Sequence, residues 1–284
     1  MSVADCPAKE NKSMLGEIIL KTGESIPSFR VLGVRVHAVQ IPDAVQILEG
    51  WIREGGSSRY VAVTGMHGVS EARKNRQFHE VLETADLVVP DGMPLVWLGR
   101  LRGCAWLRRR VYGPELMETF CRQTGAKYRH FFYGGAPGVA EQLAKAEHER
   151  HGIRVAGTYC PPFRPLSRDE ERKVQYMIEA AAPDVLWVGL STPKQETWMF
   201  EHRDTLRVPV MLGVGAAFDL NTGRLKQAPR WMRENGLEWL FRLIAEPRRL
   251  WRRYILGGSD FVWNVFLEVL GIKSFGLNSP SQQN

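Results

Sequence analysis

Residues 60–92, YVAVTGMHGVSEARKNRQFHEVLETADLVVPDG, hold two short apolar runs, Tyr60 to Val63 and Leu87 to Val89. Each run stops at a polar residue followed by glycine, Thr64-Gly65 and Asp91-Gly92, as strand ends do. Between them Val69, Ala72, Phe78, Val81, Leu82 and Ala85 approximate helical spacing. The pattern predicts a strand, helix, strand unit with parallel strands. In an open parallel sheet the carboxyl ends of the strands face the ligand crevice, so Thr64 and Asp91 are expected in one site although 27 positions apart. Asp91 reads either as a general base or as the cap of a helix that begins near Met93.

The same alternation continues outward. Phe29 to Gln40 alternates apolar and polar residues as a half-buried strand or hairpin does, and Pro42-Asp43 opens a helix that Gly55-Gly56 closes. Helices are predicted from Met93 to Arg102 and from Gly113-Pro114 to Gly125. Tyr128 to Tyr133 is a strand that runs into Gly134-Gly135-Ala136-Pro137-Gly138, with helical spacing resuming at Val139. This glycine-rich turn reads as a cradle for a nucleotide diphosphate or as a plain tight turn, since it matches neither GxGxxG nor the Walker pattern. Ile153 to Thr158 is a further strand, and Ser167 with Glu170 forms a capping box. Asp184 to Gly189 and Val208 to Val214 are strands that end in polar loops, one carrying Gln195 and the other Gly215 and Asp219. Strands alternating with helices from residue 29 to about 220 define an α/β core with a mainly parallel sheet.

Composition limits the alternatives. With 284 residues, 44% hydrophobic and 24% charged, the chain has the profile of an ordinary globular protein. Its net charge of +7 is concentrated: Arg224 to Tyr254 contains nine Arg or Lys against three Glu, a local excess of +6. A patch of this kind suits phosphates, whether of nucleic acid, anionic lipid or a diphosphate substrate. Gly236 to Tyr254 interleaves Trp239, Leu240, Leu243, Ile244, Leu250 and Trp251 with five arginines, and Pro247 is placed to start a second helix. It reads as an interfacial segment on an anionic membrane or as a terminal helix pair packed on the core. No window of about 18 apolar residues exists, and Phe261 to Ile272 is too short to span a bilayer. Cys6, Cys104, Cys121 and Cys160 are scattered without metal-site spacing and read as free thiols in a reducing compartment. The N-terminus lacks a signal-peptide pattern, so a cytoplasmic protein is expected.

Seven ordered blocks carry a family resemblance: VTGMHGVSEARKNRQF, ADLVVPDGMPLVW, RRVYGPELM, FFYGGAPGVAE, VLWVGLSTPKQE, GVGAAFDLNTG and KQAPRWMRENGLEWLFRLIAEPRRLWRRYI. Together they cover roughly residues 30 to 270 and resemble the WecG/TagA/CpsF glycosyltransferases. The resemblance implies a Rossmann-like mainly parallel sheet flanked by helices, with a basic amphipathic helical C-terminal appendage. The implied divisions are a flexible tail at 1–28, a core at 29–228, a membrane-associating appendage at 229–273 and a disordered tail at 274–284. It further implies an inverting, metal-independent transfer from a UDP-sugar to a polyprenyl-diphosphate-linked saccharide, without a cofactor, in cell-surface polysaccharide assembly. The location implied is peripheral, on the inner face of the plasma membrane. Asp91 corresponds to the base and Thr64 to a residue of the same pocket. Gln195 corresponds to a sugar contact, and Arg242, Arg249 and Arg252 to ligands of the diphosphate. Gly134, Gly135, Gly215 and Asp219, at the glycine-rich strand ends, are the candidates for holding the nucleotide. Gly65 stands where many members carry asparagine, a departure that bears on donor or acceptor choice.

The sugar is left open among N-acetylmannosamine, its uronic acid and glucose, and a homo-oligomer is compatible with the apolar appendage. Two other classes fit less of the chain. A nucleic-acid-binding protein would use the basic tail but leaves the glycine-rich strand ends unexplained. A nucleotide-dependent oxidoreductase lacks its GxGxxG fingerprint and ribose-binding acid.

Overall fold

In the computed structural model, which describes residues 25–275, alternation along each strand sorts the apolar side chains onto two faces of one sheet. Eight strands are present among these residues. β1 (Ser28–Val31) and β2 (Val34–His37) form an antiparallel hairpin. The sheet is built from β3 (Arg59–Thr64), β4 (Leu87–Pro90), β5 (Arg129–Gly134), β6 (Arg154–Tyr159), β7 (Val185–Gly189) and β8 (Val210–Gly213). Its order is β4-β3-β8-β7-β5-β6, every neighbouring pair parallel. Tyr60, Ala62, Val88, Phe131, Tyr133, Leu186, Val188 and Met211 face one core, while Val61, Val63, Leu87, Val89, Phe132, Trp187, Val210 and Leu212 face the other. Because consecutive side chains in a strand point to opposite faces, a run such as Tyr60 to Val63 is apolar throughout only when both faces are covered. Helices supply that cover, with Val69, Ala72, Val81 and Ile178 on one side and Ile47, Leu116, Phe120 and Leu143 on the other.

The fold is the expected Rossmann-like α/β arrangement, with two local departures from the expectation. The segment between β3 and β4 is two helices, Met66–Lys74 and Arg76–Glu83, where spacing alone predicts one. Asn75 makes the break: its side chain accepts hydrogen bonds from the N–H groups of Gln77 and Phe78, capping the second helix and ending the first. Cys104 is disulfide-bonded, which corrects the reading of four free thiols; Cys121 and Cys160 are free. Bond formation depends on spatial neighbours, and scattered spacing does not reveal them. Of the two readings of Asp91, the helix cap is not realised, since Gly92 holds the N-cap position of the helix Met93–Leu101 and no side chain caps it. The calls on residues 1–24 and 276–284, tails and Cys6 included, lie outside the described residues.

The hairpin closes one edge of the sheet. His37, buried in β2, accepts a 2.9 Å hydrogen bond at Nδ1 from the N–H of Val88 in the edge strand β4. After β8 the chain leaves the sheet through short helices, Arg230–Glu234, Glu238–Ala245 and Pro247–Trp251. A π-helical turn, Arg252–Leu256, leads into the helix Gly257–Val269. Ion pairs fasten this last helix to the core: Asp260 lies 2.6 Å from Arg73 and 3.3 Å from Lys74, and Glu268 pairs with Arg102 and accepts from the N–H of Leu32. None of the described helices is long and apolar enough to cross a membrane.

Candidate active site

Five of the six sheet strands send their carboxyl ends toward one cavity of about 740 Å³. Gly65 and Met66 follow β3, Asp91 follows β4, Gly135 follows β5, Gly189 ends β7 with Ser191 just beyond, and Val214 to Asp219 follow β8. This is the crevice position that a parallel sheet dictates. Close backbone approach assembles the floor. The N–H of Asp91 donates to the carbonyl of Thr64 at 2.8 Å, tying the ends of β3 and β4 together. A Cβ on Gly65 would lie 2.5 Å from the Asp91 carbonyl oxygen, so asparagine does not fit there without a backbone shift. Gly134 adopts φ 133° with its Cα against the Gly189 backbone, where a Cβ would lie 2.5 Å from the Gly189 carbonyl oxygen.

Asp91 sits at the foot of the cavity with a third of its side chain still open. Its Oδ1 has no hydrogen-bond partner and lies 3.9 Å from Nη1 of Arg110. Removal from water pushes the Asp91 carboxyl up to about 6; Arg110, Arg242 and Arg253 oppose that rise and Glu238 adds to it. An accessible mouth is consistent with strong desolvation, because the carboxyl is recessed among protein atoms. Arg110 is itself largely covered, stacked 4.2 Å over the Tyr112 ring and donating to Glu238. His67, also in the wall, is pushed down to about 4 by burial and by repulsion from Arg253 and Lys74, so it is neutral at pH 7.

The C-terminal segment supplies part of the wall. Arg242, Arg249, Arg252 and Arg253 all line the cavity. Arg252 and Arg253 begin the π-helical turn, a widened geometry that recurs at functional sites. Burial and crowding by Arg242 and Arg249 lower Arg253 from its ordinary value, against the pull of Tyr254 and Asp91. A bound anion would relieve that crowding. On the sheet side Gln195 is buried and donates from Nε2 to Glu196 at 2.9 Å, leaving its Oε1 without a partner beside Gly215. Glu196 also accepts from Thr192 at 2.8 Å, and burial raises its carboxyl above the usual range.

Eight of the residues singled out in the sequence therefore line one cavity: Asp91, Gln195, Arg242, Arg249, Arg252, Gly135, Gly215 and Asp219. Thr64 and Gly134 lie behind its wall. The Thr64 side chain is buried, packs against Gly68 and has an unpartnered hydroxyl. Sequence reasoning missed Arg110, Glu238, His67 and Arg253. Each sits within a quoted block, but nothing in a run such as Arg108 to Arg110 distinguishes the arginine that turns inward. Among the described residues no group of three or more His, Cys, Asp or Glu is placed to hold a metal ion.

A helix-flanked parallel sheet with a recessed carboxylate and four arginines at its carboxyl edge defines a Rossmann-like α/β protein with a cation-lined crevice. Over residues 29–274 the chain matches the WecG/TagA/CpsF family of glycosyl transferases, and it belongs to that family. It is therefore a glycosyltransferase by family. A relative from Bacillus spizizenii (strain ATCC 23059 / NRRL B-14472 / W23) is 33% identical over 187 residues, which is 65% of this chain and 70% of the relative. One from Bacillus subtilis (strain 168) is 31% identical over 206 residues, 72% of this chain and 77% of the relative. Both bear the name N-acetylglucosaminyldiphosphoundecaprenol N-acetyl-beta-D-mannosaminyltransferase.

Proposed function

We propose that this protein transfers a sugar, with inversion and without a metal, from a UDP-sugar to a polyprenyl-diphosphate-linked saccharide in cell-surface polysaccharide synthesis. The observation that carries the reading is the gathering of Asp91 with Arg242, Arg249, Arg252 and Arg253 in one cavity. The relatives' names favour N-acetylmannosamine as the sugar and an N-acetylglucosaminyl diphosphate lipid as the acceptor. Asp91 takes the proton of the acceptor hydroxyl as that oxygen attacks the anomeric carbon from the face opposite the leaving UDP. A carboxyl that titrates near 6 is ionised at pH 7 yet still basic enough for that task. Charge that develops on the leaving diphosphate is met by the arginine wall, already desolvated and in position. Gln195, held by Glu196, directs Oε1 toward the sugar, and Gly135, Gly215 and Asp219 border the nucleotide. Thr64 and Gly134 act behind the wall by setting the strand ends.

The acceptor is lipid-linked in this reading, so the protein works at an anionic membrane surface on the cytoplasmic side. Val262, Trp263, Phe266 and Val269 of the last helix and Leu270 at its C-cap are exposed, and their spacing puts them on adjoining positions of one helical face. The test is UDP release by the full-length protein, in EDTA, from a panel of UDP-sugars with and without a detergent-solubilised polyprenyl-diphosphate saccharide. Release that depends on the acceptor and on one donor is the expected result. Release from none of the pairs, combined with no UDP binding by calorimetry, overturns the reading.

A further inference from the structure

Two carboxylates share one guanidinium at the boundary between the sheet domain and the C-terminal segment. Arg110 donates from Nη2 to Oε2 of Glu238, while its Nη1 remains 3.9 Å from Oδ1 of Asp91, beyond hydrogen-bond distance. Glu238 is 8% exposed and belongs to the first turn of the helix Glu238–Ala245; Asp91 belongs to the end of β4. The Tyr112 ring packs under Arg110, 4.2 Å from its guanidinium carbon, and holds it beside the two carboxylates. The sharing is unequal, since Glu238 holds the hydrogen bond and Asp91 Oδ1 has none. For a base this inequality matters: a carboxylate that accepts a charge-assisted hydrogen bond from a guanidinium is stabilised in its ionised form and takes up a proton less readily.

We propose that Glu238 is a positioning residue that draws Arg110 away from Asp91, so that the Asp91 carboxylate stays free of an arginine hydrogen bond and basic enough to take the proton of the acceptor hydroxyl. The C-terminal segment thereby contributes to the base itself as well as to the diphosphate wall. The proposal rests on the reading of Asp91 as the base. The charged and titratable groups that face Asp91 are Arg110 and Tyr112 from the loop before Gly113–Thr124, Glu238 and Arg242 from Glu238–Ala245, and Arg253 from the π-helical turn. Arg242 and Arg253 act on it electrostatically without a hydrogen bond to it, so Arg110 is the cation whose shift from 3.9 Å closes a contact.

The experiment follows the Asp91 carboxyl by ¹³C NMR titration in the full-length protein, assigned by its loss in Asp91→Asn, alongside the pH profile of turnover. In Glu238→Gln, Arg110 closes on Asp91, and the Asp91 midpoint falls by roughly 1 unit or more. The acid limb of kcat moves down with it, and kcat drops while KM for the acceptor changes little. Arg110→Gln moves the midpoint in the opposite direction. Glu238→Asp keeps the charge but retracts it by one methylene; it gives a smaller fall and serves if Glu238→Gln does not fold. A midpoint that stays put or rises in folded Glu238→Gln, or in Glu238→Asp where that variant has to serve, overturns the role of Glu238. A near-normal rate in Asp91→Asn overturns the reading of Asp91 as the base.

Discussion

In the proposed mechanism Asp91 concentrates the chemistry in one side chain, and its environment sets two opposed effects. Asp91→Asn keeps the shape but removes the proposed proton acceptor, so turnover is expected to fall by about 10² to 10⁴ with UDP binding retained, as steady-state rates and calorimetry will show. The same substitution is expected to stabilise the protein at alkaline pH. Burial raises the folded carboxyl from 3.8 to about 6, so the folded state holds the proton more tightly than the unfolded one. That contribution is complete below about pH 4 and is lost as pH rises through 6. Thermal melts should therefore show Asp91→Asn above wild type at pH 8, with the gap closing toward pH 4; a gap that does not change with pH would count against the shift. The position of Asp91 was legible because an apolar run that stops at a polar residue and glycine is a strand end. Arg110 and Glu238 were not, because their roles come from a contact 128 residues apart in sequence.

The secondary elements show where periodicity suffices and where a side chain overrules it. The break at Asn75 replaces one expected helix by two, through hydrogen bonds that an apolar-spacing argument does not count. Asn75→Ala is expected to cost about 1 kcal/mol, read as a lower urea midpoint at unchanged slope. Alternation left Phe29 to Gln40 open as one strand or a hairpin, and the structure has the hairpin of β1 and β2, with a titrating group that alternation does not show. His37 is lowered from 6.5 to about 4 by burial foremost, with Arg35 adding to the effect, so it stays neutral in the fold. A lowered folded value means stability that is present above 6.5 and lost as pH falls through 4, by at most about 3 kcal/mol from this group. His37→Gln keeps an acceptor for Val88 without titrating. It should flatten the acid decline of stability between pH 6.5 and 4, which urea melts at several pH values will check.

The molecule as a whole joins a sheet domain to a basic, aromatic C-terminal segment. The segment is seated on the core by Asp260 against Arg73 and Lys74 and by Glu268 against Arg102, and it still presents an apolar face outward. Seating explains how four arginines reach the cavity, and the outward face explains what the proposed membrane would meet. Trp263→Glu together with Phe266→Glu should lower binding to anionic vesicles by about tenfold or more, since each buried aromatic contributes about 1.5–3 kcal/mol. UDP binding should be unaffected, because neither residue lines the cavity. Co-sedimentation at two salt concentrations checks both the apolar and the electrostatic parts; binding unchanged in the double variant would remove this helix from the membrane contact.

By itself the sequence determined the alternation of strands and helices, the burial of both sheet faces, and the strand ends where polar residues and glycines gather. These are local properties, set by side-chain periodicity and by backbone preferences within a few residues. The basic character of the last segment was equally plain from the residues it contains. Only the tertiary structure decided which arginines of that segment face Asp91, that Thr64 sits behind the wall and that Cys104 is bonded. It alone brought Glu238 to Arg110. Those facts depend on strand order and on how one segment seats against another, and the energies responsible are long-range contacts between residues that no local pattern pairs.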